Sequence, residues 1–226
     1  MSEEPDTLRE LRAFTVSVDV DRNHVTHLVR PAGSAAPVVS MRRDHPFRAP
    51  AAPFVVRPVA APEEVIGYVA QGRAWDAQQV EIGVVRGLRG PREMPFGPLV
   101  QHGLGTISLR RPGQHGLAFW IGRLVDRLDF GISVVQDIDV QIVARLRAAG
   151  ATSPAFQATR LAGPIGRYEV TVPDPRISRL LILALLDCVE AATSGRRPVG
   201  PLPTAGRFDP GEGHWTQQEW LRGDGP

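Results

Sequence analysis

The stretch "DPRISRLLILALLDCVEAAT", residues 174–193, decides the fold. Elsewhere Pro, Gly and Arg interrupt the chain every few residues. Here seven apolar residues run unbroken from Leu180 to Leu186. A membrane span needs about 20 predominantly apolar residues. Arg179 and Asp187 bound this run at both ends, so it is too short to cross a bilayer. Strand is the competing reading. Leu and Ala outnumber the single β-branched residue, Ile182, and favour helix. Asp174 suits an N-cap, Pro175 the first helical position, and Gly195 the left-handed position past the end. These marks predict a helix over about 175–194. A surface helix shows one apolar stripe, whereas this one is apolar all round and has to be enclosed on every side. Cys188 then reads as a small core residue.

The rest of the chain supplies the enclosure. With 23 Gly and 21 Pro, it favours many short elements over a few long ones. "FTVSVDV" (14–20) alternates apolar and polar residues, and "HVTHLVR" (24–30) follows across a turn. "PFVVRPV" (53–59) pairs with "EVIGYVA" (64–70), and "VVSMRRD" (38–44) adds a strand before them. "QQVEIGVVRG" (78–87) and "TISLRR" (106–111) read as single strands. "FGISVVQ" (130–136) with "VQIVARLRA" (140–148), and "AFQATRLA" (155–162) with "RYEVTVP" (167–173), complete the set. Phe14, Val16, Ser17, Val18 and Asp21 recur as Phe130, Ile132, Ser133, Val134 and Asp137, a weak internal duplication. One further segment, 114–130, has Leu117, Trp120, Ile121, Leu124, Val125 and Leu128 at helical spacing and reads as an amphipathic helix on the exterior or plugging one end.

Closing a sheet removes its edges, and a sheet too large to fill its own interior needs an apolar filler. The expected fold is therefore α+β and mostly β. It is a closed antiparallel β-barrel of about 10–12 strands in two related halves, around a central hydrophobic helix near 175–194. Residues 1–11 form an N-terminal segment and 12–195 the barrel domain; 196–226 form a Pro/Gly-rich, largely disordered tail.

All 26 basic residues are Arg, set against 24 acidic ones, and a net charge of +2 does not suggest a nucleic-acid partner. A single cysteine forms no internal disulfide and fits a reducing compartment. The acidic start "MSEEPDTLRELRAF" lacks the basic and apolar regions of a secretory signal. The expectation is a cytoplasmic, bacterial protein, peripheral at the membrane if lipid is its partner.

Motifs for chemistry are sparse. His24 and His27 stand three apart on a strand, on opposite faces, which is poor geometry for one metal ion. His102 and His115 have no third ligand nearby, and Asp137 and Asp139 read as turn residues. No metal and no cofactor is expected. The loop 86–105 is long enough to attract a functional reading. Arg86, Arg89 and Arg92 there stand beside Met94 and Phe96, a set suited to anionic lipid or an acidic partner. The alternative is a covering loop whose Phe96 tucks inward. Near the end of the chain, Trp215, Trp220 and Leu221 form a short apolar element that packs back on the domain or binds a partner, with Thr216 and Glu219 spaced as a capping box.

The repeated hairpins "FTVSVDVDRNHVTHLVR" and "FGISVVQDIDVQIVARL", and the strand "RYEVTVP" running through Asp174 into a Leu/Ala-rich helix, resemble the tubby C-terminal-like superfamily. The likeness is nearest to its branch of LURP-one-related proteins and phospholipid scramblases, and covers residues 12–195. It implies a barrel around a helix and a non-enzymatic binding or scaffold role, for anionic lipid headgroups or a protein partner. The acidic calcium-binding segment of the scramblases is missing. "RLAGPIGRYEVTVP" holds one carboxylate, Glu169, where calcium needs about six to eight oxygens. The Cys-rich acylation stretch is missing too. The alternative function is an enzyme with a carboxylate and His site in a cleft at the barrel mouth.

Overall fold

The computed structural model describes residues 6–20, 24–44, 52–86, 98–110, 140–146, 154–161 and 166–193. A short helix α1 (Asp6–Arg9) leads into β1 (Ala13–Val20) and β2 (His24–Pro31). Next come β3 (Val39–Asp44), β4 (Phe54–Pro58), β5 (Gly67–Ala70), β6 (Arg73–Asp76) and β7 (Glu81–Val85). They are followed by β8 (Leu99–Gln101), β9 (Gly105–Arg110), β10 (Val140–Leu146), β11 (Phe156–Arg160) and β12 (Arg167–Thr171). The helix α2 (Arg179–Thr193) ends the described chain.

The protein is mostly β, with one large antiparallel sheet and few helices. Every adjacent pair is antiparallel. β1 is bonded to β2 on one side, with Val16 opposite Val29, and to β12 on the other, with Val16 opposite Tyr168. From β12 the strand order continues through β11 and β10 down to β2. Residues alternate along most strands, as the two-residue period of a strand requires. Phe14, Val16 and Val18 of β1, Val25, His27 and Val29 of β2, and Tyr168 and Val170 of β12 point into the core.

That core is built round α2. All seven residues from Leu180 to Leu186 are 0% exposed, as the all-round apolar pattern requires. Burying each Leu contributes roughly 1.5–3 kcal/mol. Close approach of helix and sheet depends on two glycines. A Cβ on Gly67 would meet Leu180, and one on Gly83 would meet Leu181.

Three expectations are corrected. The helix starts at Arg179, not near 175, and Asp174 is not its cap. The Asp174 carboxylate is taken by the backbone and side chain of Arg176, and residues 174–177 form a turn. The cap is Ser178, whose Oγ accepts from the Leu181 N–H at 3.4 Å. Second, the stretch 86–105 is not one long loop, because it contains β8. Gln101 of that strand accepts from the Ser178 N–H at 3.0 Å and donates to the Arg176 carbonyl at 2.7 Å, so β8 clamps the start of α2. Third, β6 was not expected. It joins β5 through a two-residue turn, Gln71–Gly72, both at positive φ. The predicted strand 130–136 and the amphipathic segment 114–130 lie outside the described residues.

The sheet has a second, outward cluster. Tyr68 and Trp75 stand opposite each other on β5 and β6 and pack with Ala70, Val55 and Val65. Both faces of these two strands are buried.

Candidate functional site

Two places collect polar groups. The first is an outward groove of about 600 Å³ on β1, β2, β12 and the turn after β2. Thr15 and Ser17 point outward because Phe14, Val16 and Val18 point in. The register then sets Arg30 opposite Thr15 and Arg167 opposite Ser17, so the two guanidinium-bearing residues flank β1. Arg30 is held in place. Its Nη1 donates to Ser17 Oγ at 2.6 Å and its Nε to the Ala35 carbonyl at 3.1 Å. The turn that supplies this carbonyl needs positive φ at Gly33 (+78°), where no Cβ is tolerated without strain. Ser34 completes the rim. No carboxylate is among the lining residues; Glu169, opposite Thr15 on the outward face of β12, lies beside them.

The second place is interior, at the C-terminal end of α2. Asp187 and Glu190 stand three apart and share a helix face. The Tyr168 hydroxyl donates to Glu190 Oε2 at 2.7 Å, and Arg160 Nε lies 3.6 Å from the same oxygen. Gly166 makes room for this carboxylate, which a Cβ there would strike. His27 Nε2 is 3.9 Å from Asp187 Oδ1, beyond hydrogen-bond reach. Its Nδ1 has no hydrogen-bond partner among the described residues. The His27 ring meets Phe54 edge-on at 5.1 Å, and the Arg43 guanidinium sits 4.4 Å from the centre of that Phe54 ring.

Burial dominates the titration of these groups. Desolvation, helped by Arg43, pushes His27 down to about 3, so it is neutral over the ordinary range. Burial, with the Glu190 charge second, raises Tyr168 well above its usual value. Burial, with the Asp187 charge second, does the same to the Cys188 thiol. A neutral His, an unionised phenol and a protonated thiol behind a wall of strands are poor nucleophiles and proton carriers.

The residues singled out in the sequence fare differently. Arg86 is exposed at the end of β7, and its N–H donates to the Pro98 carbonyl. Arg89, Arg92, Phe96, Trp215 and Trp220 lie outside the described residues, as do His115, Asp137 and Asp139. His24 and His27 do point to opposite faces of β2. His102 is exposed and faces Glu81 at 3.1 Å. Among the described residues, no three His, Cys, Asp or Glu side chains come together as a metal site. No described helix is long and apolar enough to cross a membrane.

Sequence reasoning missed the groove. Its two arginines are 137 positions apart (167 − 30), and no local motif joins them. Only the pairing of β1 with both β2 and β12 does so.

No known family model, curated protein or solved structure matches the chain.

Proposed function

We propose that this chain is a non-enzymatic binding module of the tubby-like kind, a closed barrel around a central helix, which holds an anionic headgroup on its outer wall. One observation carries the reading. Two arginines and three hydroxyls, those of Thr15, Ser17 and Ser34, line a single groove that has no carboxylate of its own. Guanidinium groups match phosphate geometry, and hydroxyls add neutral donors around the same oxygens. The resemblance of the hairpins and the late helix to LURP-one-related and scramblase-like proteins supports the same class of role. The neutral, walled-in state of His27 and Tyr168 weighs against an acid–base centre at the interior end.

Vesicle flotation tests this. The full chain should float with phosphatidylcholine vesicles that contain phosphatidic acid and not with phosphatidylcholine alone. Binding should weaken as salt is raised, because exposed charges are screened over about 10 Å at 0.1 M. Replacing Arg30 and Arg167 together by Ala should abolish it. Absence of flotation at low salt removes the lipid reading. Flotation that survives the double substitution moves it off this groove.

A further inference from the structure

We propose that His27 is an acid-sensitive latch on the C-terminal end of α2: protonation of its ring releases that end from β2, while the N-terminal end stays anchored.

His27 occupies an inward position on β2, 1% exposed, where the alternation of the strand otherwise calls for an apolar residue. Its neighbours on the inner wall are apolar: Val18 opposite on β1, Met41 opposite on β3, and Phe54 on β4. Among the described residues, two charged groups face it. Asp187 comes from α2, 3.9 Å away, and Arg43 from β3, stacked on the Phe54 ring. The other acidic group on that helix face, Glu190, is engaged by Tyr168 and Arg160. A proton from solvent placed on the ring makes a buried imidazolium. Asp187 attracts it, Arg43 repels it, and burial disfavours it outright. Among the described residues, no hydrogen-bond acceptor meets Nδ1 to offset that cost. The charged form is therefore stable only once this end has opened to water.

The two ends of α2 are held differently, which confines the effect. At the start, Ser178 caps the helix and is clamped by Gln101, and Arg179 is tied to backbone carbonyls that do not titrate. At the finish, buried Cys188 and Val189 pack against the wall, and the polar fastening runs through ionisable side chains, Glu190 with Tyr168 and Arg160.

The sign follows from the shift. Folding lowers the ring from 6.5 to about 3. The opened state therefore binds more protons between those values, and closure weakens as pH falls below 6.5. The opening equilibrium should grow about tenfold per pH unit.

Amide hydrogen exchange on the full chain at pH ~7.5 and ~5, corrected for intrinsic exchange, reads this directly. Amides of 24–29 and 187–193 should lose protection more than about tenfold at the lower pH, and those of 182–185 should keep theirs. His27→Leu should remove the pH dependence and keep the protection seen near neutrality. His27→Gln serves as a second variant should Leu disturb packing. Equal protection at both pH values overturns the proposal. So does parallel loss at both ends of α2, which means global unfolding, or pH dependence that survives both substitutions.

Discussion

The guanidinium of Arg179 donates two hydrogen bonds, at 3.1 and 3.0 Å, to the carbonyl of Leu11, 168 residues earlier in the chain. It also donates to the carbonyls of Pro175 and Ile177. At 0% exposure it is the largest fully buried side chain among the described residues. A buried charge persists only when its hydrogen bonds are made, and carbonyls of the turn before α2 and of Leu11 make them here. Leu8 and Leu11 close the core over the same end. Residues 8–11 thus belong to the folded unit.

Arg179→Leu leaves three carbonyls with lost partners and should cost about 2–4 kcal/mol. Deleting residues 1–11 strips the Leu11 acceptor and should cost about 3–5 kcal/mol. The two should not add, since they break one connection. Urea unfolding of the four species in the cycle measures this, and simple additivity would show that the contact carries no weight.

Gly67 and Gly33 separate two reasons for glycine. Gly67 has no unusual φ, but a Cβ there would collide with the Trp75 carbonyl and stand 2.7 Å from Leu180 Cδ1. Gly33 has open space around it and φ of +78°. Gly67→Ala should cost about 2–3 kcal/mol through helix-to-sheet displacement. Gly33→Ala should cost about 1 kcal/mol through backbone strain alone. Thermal unfolding of both variants checks the order, and the reverse order contradicts it.

Both tyrosines of the chain are raised by burial, Tyr168 more than Tyr68. A raised phenol stabilises the fold fully below the unfolded value near 10, and that contribution is lost as pH rises above it. Alkaline titration followed by phenolate absorbance should show Tyr168 ionising only together with loss of folded structure. Tyr168→Phe removes the bond to Glu190 and should cost roughly 1.5–3 kcal/mol, as for a hydrogen bond to a charged group. Early ionisation of Tyr168 in the folded protein would contradict this burial.

Cys188 is the single cysteine, buried against the Gly72 turn and held as the thiol. A thiol-specific disulfide reagent attacks the thiolate, so native protein should react only as fast as it opens. Labelling should be slow in buffer and complete in denaturant. Rapid stoichiometric labelling of folded protein would falsify the enclosed position of the helix.

Much of the sheet was legible because alternation is a local signal. The strands of 14–20 and 24–30 are found within a residue at β1 and β2. β6 was not legible, because "RAWD" is buried on both faces and shows no alternation, and its turn lacks the usual Asn-Gly or Asp-Gly mark. β8 was hidden by its length of three residues. The start of α2 was misplaced because Asp174 and Pro175 fit a cap by type, while Arg176 competes for the carboxylate.

The sequence by itself determined that residues 180–186 are enclosed. An unbroken apolar run leaves a helix no polar face to turn toward water, and no tertiary detail changes that. Tertiary structure alone decided which side chains meet. Arg30 and Arg167 share a groove because β1 pairs with both of their strands, and Arg179 reaches Leu11 across almost the whole chain. Such contacts depend on strand order and register, which arise from the summed packing of all elements and leave no mark in any short window of residues.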